Sequence, residues 1–166
     1  MKYSFVLVLG LALALSWGGQ VFAQTQTTVS GIKYDAGIPQ MTVIDQDHWI
    51  AIADLRGVTV YPPASKGPSN NMASDTKIVL YGDKNGSHYQ GYITLMDNDG
   101  DKIVWDIWDF PPGSQTGKGK IIAATGKFAG MEGTMDTQTT GLKGFQEGTW
   151  NLVGKCVEKL TFKNPQ

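Results

Sequence analysis

Beyond Ser30 no stretch of convincing length places apolar residues at helical spacing. Short β-branched and aromatic runs are instead separated by clusters of glycine, proline, asparagine and aspartate. That punctuation is the mark of an all-β chain. Candidate strands run over 41–44, 48–55, 58–61, 76–81, 88–96, 102–110, 119–124, 132–139, 145–152 and 156–162. Merging neighbours leaves about eight long strands, within the usual range for a sheet. Pro62-Pro63 and Pro111-Pro112-Gly113 end strands, because proline lacks the N–H that a ladder needs. The segment 62–75 reads as the longest loop. Asp83-Lys84-Asn85-Gly86 and Asp97-Asn98-Asp99-Gly100 read as hairpin turns.

The strand faces follow from alternation. Ile103, Trp105 and Ile107 share one face, with Val104, Asp106, Trp108 and Phe110 on the other. Gly148, Trp150 and Leu152 share a face, as do Ile93 and Leu95. One apolar and one mixed face suits a closed barrel or a sandwich. Trp105, Ile107, Phe128 and Trp150 are the expected core. The strand with Trp105 and Trp108 is apolar on both sides, so it is central or lines a pocket.

The first residues have a different character. Lys2 precedes an apolar run, Phe5 to Ser16, and Val21-Phe22-Ala23 supplies the small −3 and −1 residues of a cleavage site before Gln24. Residues 1–23 are expected to be a signal peptide, 24–35 a flexible tail and 36–166 one β-barrel domain. An uncleaved anchor or a buried helix is the alternative for the apolar run. No cysteine lies near the cut to carry a lipid. The expected location is secreted or periplasmic, with no membrane anchor after signal removal. Cys156, the single cysteine, excludes a disulfide framework. A buried thiol is one reading, and an intermolecular disulfide or a reactive thiol is the other.

Fourteen basic residues against fifteen acidic ones, with Arg56 the only arginine, argue against a nucleic-acid partner. Two histidines without metal-binding spacing argue against a zinc site. No cofactor is expected, and the sequence carries no signal for oligomeric state.

Three segments carry a resemblance: MDNDGDKIVWDIW at 96–108, ATGKFAGMEGT at 124–134 and GFQEGTW at 144–150, with weaker echoes at 47–60 and 70–80. Together they resemble small secreted bacterial proteins, mostly uncharacterised, similar to the allene oxide cyclase/dirigent β-barrel group. The resemblance implies a single antiparallel, calycin-like barrel in which a glycine-rich turn sets Phe128 into one barrel end. It also implies an isomerase or cyclase acting on a hydrophobic substrate as one possible activity. It carries over no catalytic residue, because its motifs are turns, glycines and aromatics.

Asp97, Asp99 and Asp101 suggest the start of a Ca²⁺ loop, but Lys102 and Trp108 stand where such a loop needs glycine and glutamate. They are expected to bond their own turn. The Gly/Lys pairs at 117–120 and 126–127 open no helix and are expected to be turn glycines rather than a nucleotide loop. Arg56, Asp106, Glu147 and His48 are either solvent-facing strand charges or, if they enter the barrel, acid/base or anion-binding groups. His88, beside the Asn85-Gly86 turn, reads as a surface residue. The tryptophans Trp49, Trp105, Trp108 and Trp150 fill a core or line a ligand pocket. The expected ligand-binding set is Arg56, Trp105, Asp106, Trp108, Glu147 and Trp150, around a small apolar or amphipathic ligand. The alternatives are an isomerase or cyclase with one or two buried polar groups, and a filled barrel serving structure or interaction.

Overall fold

The computed structural model describes residues 25–65, 67–143 and 147–162. The expected signal peptide, its cleavage site and Phe145 lie outside the described residues. Eight strands follow in sequence order: β1 (Thr25–Val43), β2 (Trp49–Val60), β3 (Asn71–Asp83), β4 (Gly86–Met96), β5 (Lys102–Asp109), β6 (Thr116–Ala124), β7 (Glu132–Lys143) and β8 (Trp150–Phe162). Each pairs antiparallel with the next, and β8 returns to β1 to close the barrel. Closure removes the exposed edges that an open sheet would leave.

The expected segments merge where their alternation is continuous. Residues 48–55 and 58–61 are one strand, β2, and 156–162 joins the start of β8. The long loop is shorter than 62–75, since Asn71 to Asp75 already pair with β2. The larger correction is at the N-terminal side. Residues 24–35, expected to be a flexible tail, are strand β1 from Thr25 onward. This strand is held by β8 over Thr25–Gly37 and by β2 from Ile32. Its partners on the β8 side lie more than a hundred residues away, so no local turn signal announces the strand.

Trp105, Ile107 and Phe128 are buried as expected. Phe128 enters from the 3₁₀ turn Gly126–Phe128, where Gly126 takes φ +55°. Trp150 is only partly buried and packs at the edge of the core. The barrel end where β2, β4 and β6 finish is plugged by Tyr61, Met72, Ile103, Phe128 and Met131. The acidic hairpin is a turn device. Asp97 Oδ1 accepts the N–H groups of Asp99 and Asp101, both at 3.0 Å. Lys127 forms ion pairs with Asp97 at 2.5 Å and Asp99 at 2.8 Å, tying this turn to the one that places Phe128.

Candidate functional site

Above the plug the barrel is hollow. A cavity of about 230 Å³ opens toward the end where β1, β3, β5 and β7 finish, with Ser87, Ser114, Gln115, Gly141 and Trp150 around its mouth. Its two sides differ in chemistry. Strands β3 to β7 supply an apolar wall that includes Ile78, Ile93, Leu95, Trp105, Ile107 and Met135. Strands β1 and β8, with neighbouring positions on β2 and β3, supply a polar seam.

On β1 the alternation that buries Val29 and Gly31 also turns Lys33 and Asp35 inward. Asp35 is 4% exposed, and its Oδ2 accepts the hydroxyl of Thr76 at 2.8 Å. Lys33 Nζ forms an ion pair with the same Oδ2 and donates to Thr76 Oγ1 at 2.6 Å. Burial pulls the Lys33 ammonium down to about 7, because charge is disfavoured away from water. Gly57 makes this packing feasible: a Cβ there would sit 1.6 Å from the Tyr34 carbonyl oxygen and 2.7 Å from Asp35 Oδ1.

On β8 the pattern Cys156, Glu158, Leu160 faces inward between Lys155, Val157 and Lys159. Glu158 is 1% exposed. Its Oε1 accepts Tyr61 Oη–H at 2.8 Å and Cys156 Sγ–H at 3.5 Å. Burial pushes the carboxyl up to about 7, against those two hydrogen bonds, which favour the carboxylate. Burial and the neighbouring Glu158 push Cys156 and Tyr61 upward, keeping both protonated. Gly31 leaves the space they need, since a Cβ there would meet Cys156 Sγ and the Tyr61 ring, both at 3.0 Å.

Buried polar atoms without a partner among the described residues include Asp35 Oδ1, Thr59 Oγ1 and Glu158 Oε2 on the seam and Trp105 Nε1 on the facing wall. Native interiors leave few such atoms unmatched.

Of the residues expected to bind ligand, Trp105 and Trp150 line the cavity. Arg56 does not: its side chain is 78% exposed and lies 3.9 Å from Asp54. Asp106 sits on the opposite face of β5 from Trp105, 3.7 Å from Lys120, and Trp108 shares that outer face. Glu147 is exposed in the β7–β8 connection. His48 is also outside, paired with Asp45 at 2.7 Å. His88 is partly exposed and bonds Asp109 at 3.0 Å. The functional groups that sequence reasoning missed are Lys33, Asp35, Tyr61, Thr76 and Glu158. The period-two run Val29, Gly31, Lys33, Asp35 is the signal that could have found the first two.

No family model matches the chain, and no curated protein matches it. Among solved structures it is similar to the pterocarpan synthase dirigent protein PsPTS1. That match has 13% identity and a TM-score of 0.51, covering 86% of this chain and 100% of that one. The pterocarpan synthase dirigent protein GePTS1 matches at 11% identity and TM-score 0.50, covering 89% of this chain and 91% of that one. The barrel has the dirigent fold. At such identity the likeness is one of backbone, and the dirigent fold alone does not carry chemistry from one interior to another. What this dirigent-fold barrel does rests on its own seam and wall.

Proposed function

We propose that the barrel binds a small amphipathic organic molecule, with its apolar body against the Trp105 wall and a polar group on the β1/β8 seam. The observation that carries this reading is a hollow interior bordered by buried polar atoms that find no partner among the described residues. An unmatched buried donor or acceptor costs roughly 1–3 kcal/mol, and a ligand group that supplies the missing bond removes that cost. The volume supports a compact ligand. An apolar cavity of about 150 Å³ accepts benzene, so this one suits a single substituted ring or a molecule of similar bulk. The apolar run after Lys2 supports export, so the ligand would be met in the periplasm or outside the cell. A barrel filled by its own side chains is the reading the cavity disfavours.

The test is titration of the protein with benzyl alcohol, followed by calorimetry and tryptophan fluorescence, together with native mass spectrometry for co-purifying ligands. Saturable binding that is weakened by Trp105→Phe and unaffected by Arg56→Ala is expected. Binding that is absent, or unchanged by substitution at Trp105, would overturn the assignment.

One observation favours a second reading, an isomerase or cyclase. Lys33 and Glu158 both line the cavity and both titrate near neutrality, as acid/base groups at functional sites do. Product formation lost in Glu158→Gln while binding persists would separate catalysis from carriage.

A further inference from the structure

The amine of Lys33 is chemically distinct from the other groups of the seam, because it is a nucleophile as well as a hydrogen-bond donor. It sits inside the barrel with a side chain only 16% exposed, and it borders the cavity. Lys155, the other lysine on the lining, is exposed. Lys33 Nζ is fixed by two neighbours, Asp35 and Thr76, and Asp35 keeps Oδ1 without a partner among the described residues. Across the cavity stands the apolar wall of Ile93, Trp105 and Met135.

We infer that Lys33 captures a small aldehyde or ketone as a Schiff base, with Asp35 as the counter-ion of the resulting iminium and the apolar wall holding the organic body. This deepens the binding role proposed above and rests on it. Lysine reacts with carbonyls when an apolar site and a nearby base make the neutral amine accessible, and burial already disfavours the ammonium of Lys33. Asp35 takes one proton from the ammonium, and the free amine adds to the carbonyl carbon, forming the C–N bond. The carbonyl oxygen gathers two protons, one handed on by Asp35 and one from the nitrogen, and leaves as water when the C–O bond breaks. The C=N nitrogen retains the third proton and a positive charge beside the Asp35 carboxylate. The sum is one ammonium and one carbonyl giving one iminium and one water, with no oxidant or reductant. Thr76, already bonded to both Lys33 and Asp35, orients the pair.

The experiment uses the full chain, benzaldehyde as the probe and borohydride to reduce the imine, with peptide mass spectrometry to place the added benzyl group. Lys33→Arg retains a cation for Asp35 and Thr76 but forms no imine, which avoids leaving a buried carboxylate unpaired. Lys155→Arg is the control for an exposed lysine of the same barrel. The expected result is one benzyl group on Lys33, blocked by saturating benzyl alcohol, retained in Lys155→Arg and reduced to background in Lys33→Arg. Benzylation spread over surface lysines, or undiminished in Lys33→Arg, would overturn the inference. If benzyl alcohol binds but Lys33 gains no benzyl group, the Schiff base falls and the binding role stands. If benzyl alcohol does not bind and Lys33 gains no benzyl group, both fall.

Discussion

Glu158 shows how one side chain ties the pocket to pH. Its folded carboxyl titrates near 7 against an ordinary 4.5, so the folded chain holds the proton more tightly than the unfolded chain. Its stabilising contribution is full below about 4.5 and declines as pH rises through 7, by roughly 3 kcal/mol at 1.36 kcal/mol per pH unit. Lys33 acts with the opposite sign. Its folded value near 7 lies below the ordinary 10.5, so stability recovers as pH rises from 7 toward 10.5. Together these groups place a stability trough near neutrality. In Glu158→Gln, which keeps an acceptor for Tyr61, denaturant titrations at pH 5 and 8 should no longer show the acid-side decline. A persistent slope of the same size would assign it to other groups. The Cys156 thiol, buried and pushed upward, should resist maleimide in the native protein and react once unfolded. Rapid native labelling would contradict its burial. The seam was hard to read in the sequence for a specific reason. Lys33 and Asp35 lie in a polar N-terminal stretch whose partner strand is remote, and Glu158 sits among lysines that mask its inward face. Asp106, expected in the ligand-binding set, lies between the inward Trp105 and Ile107 and shares the outer face of β5 with Trp108.

At the level of strands and turns, local chemistry was a better guide. Asn85-Gly86 and Asp99-Gly100 mark hairpins where positive-φ glycine is required, and both turns are found there. The Gly126 turn likewise places Phe128. What local patterns omit is how closely strands approach one another. Gly57→Ala should force β1 and β2 apart, because the new Cβ would overlap the Tyr34 carbonyl. The expected loss is at or beyond the upper end of the roughly 1–3 kcal/mol typical of overpacking, measured by denaturation. A neutral result would mean that β1 shifts freely at this point. The two tryptophans on the cavity should also separate. Trp105, fully buried on β5, should lose roughly 3–5 kcal/mol on change to alanine. Trp150, partly buried at the mouth of β8, should lose under about 2 kcal/mol and report chiefly in ligand affinity. Equal losses would show that Trp150 is a core residue after all.

Over the whole molecule, the ladder that closes the barrel pairs Thr25–Gly37 with Trp150–Phe162. Contacts so distant in sequence slow folding, and barrels dominated by them fold on the millisecond-to-second scale. In stopped-flow refolding with benzyl alcohol present, the ligand-dependent signal should appear only in the final phase. An earlier signal would mean that the pocket forms before closure. The apolar wall comes from the middle strands, whereas the buried ionisable groups Lys33 and Glu158 come from the first and last. A chain interrupted before Glu158 therefore retains the grease of the pocket and loses its acid, and one lacking β1 loses its amine. Neither fragment would be a weaker version of the intact protein. On the proposed binding role, occupancy of the barrel would be a tally of finished copies, because Lys33 and Glu158 come together only when both extremities of the fold have met.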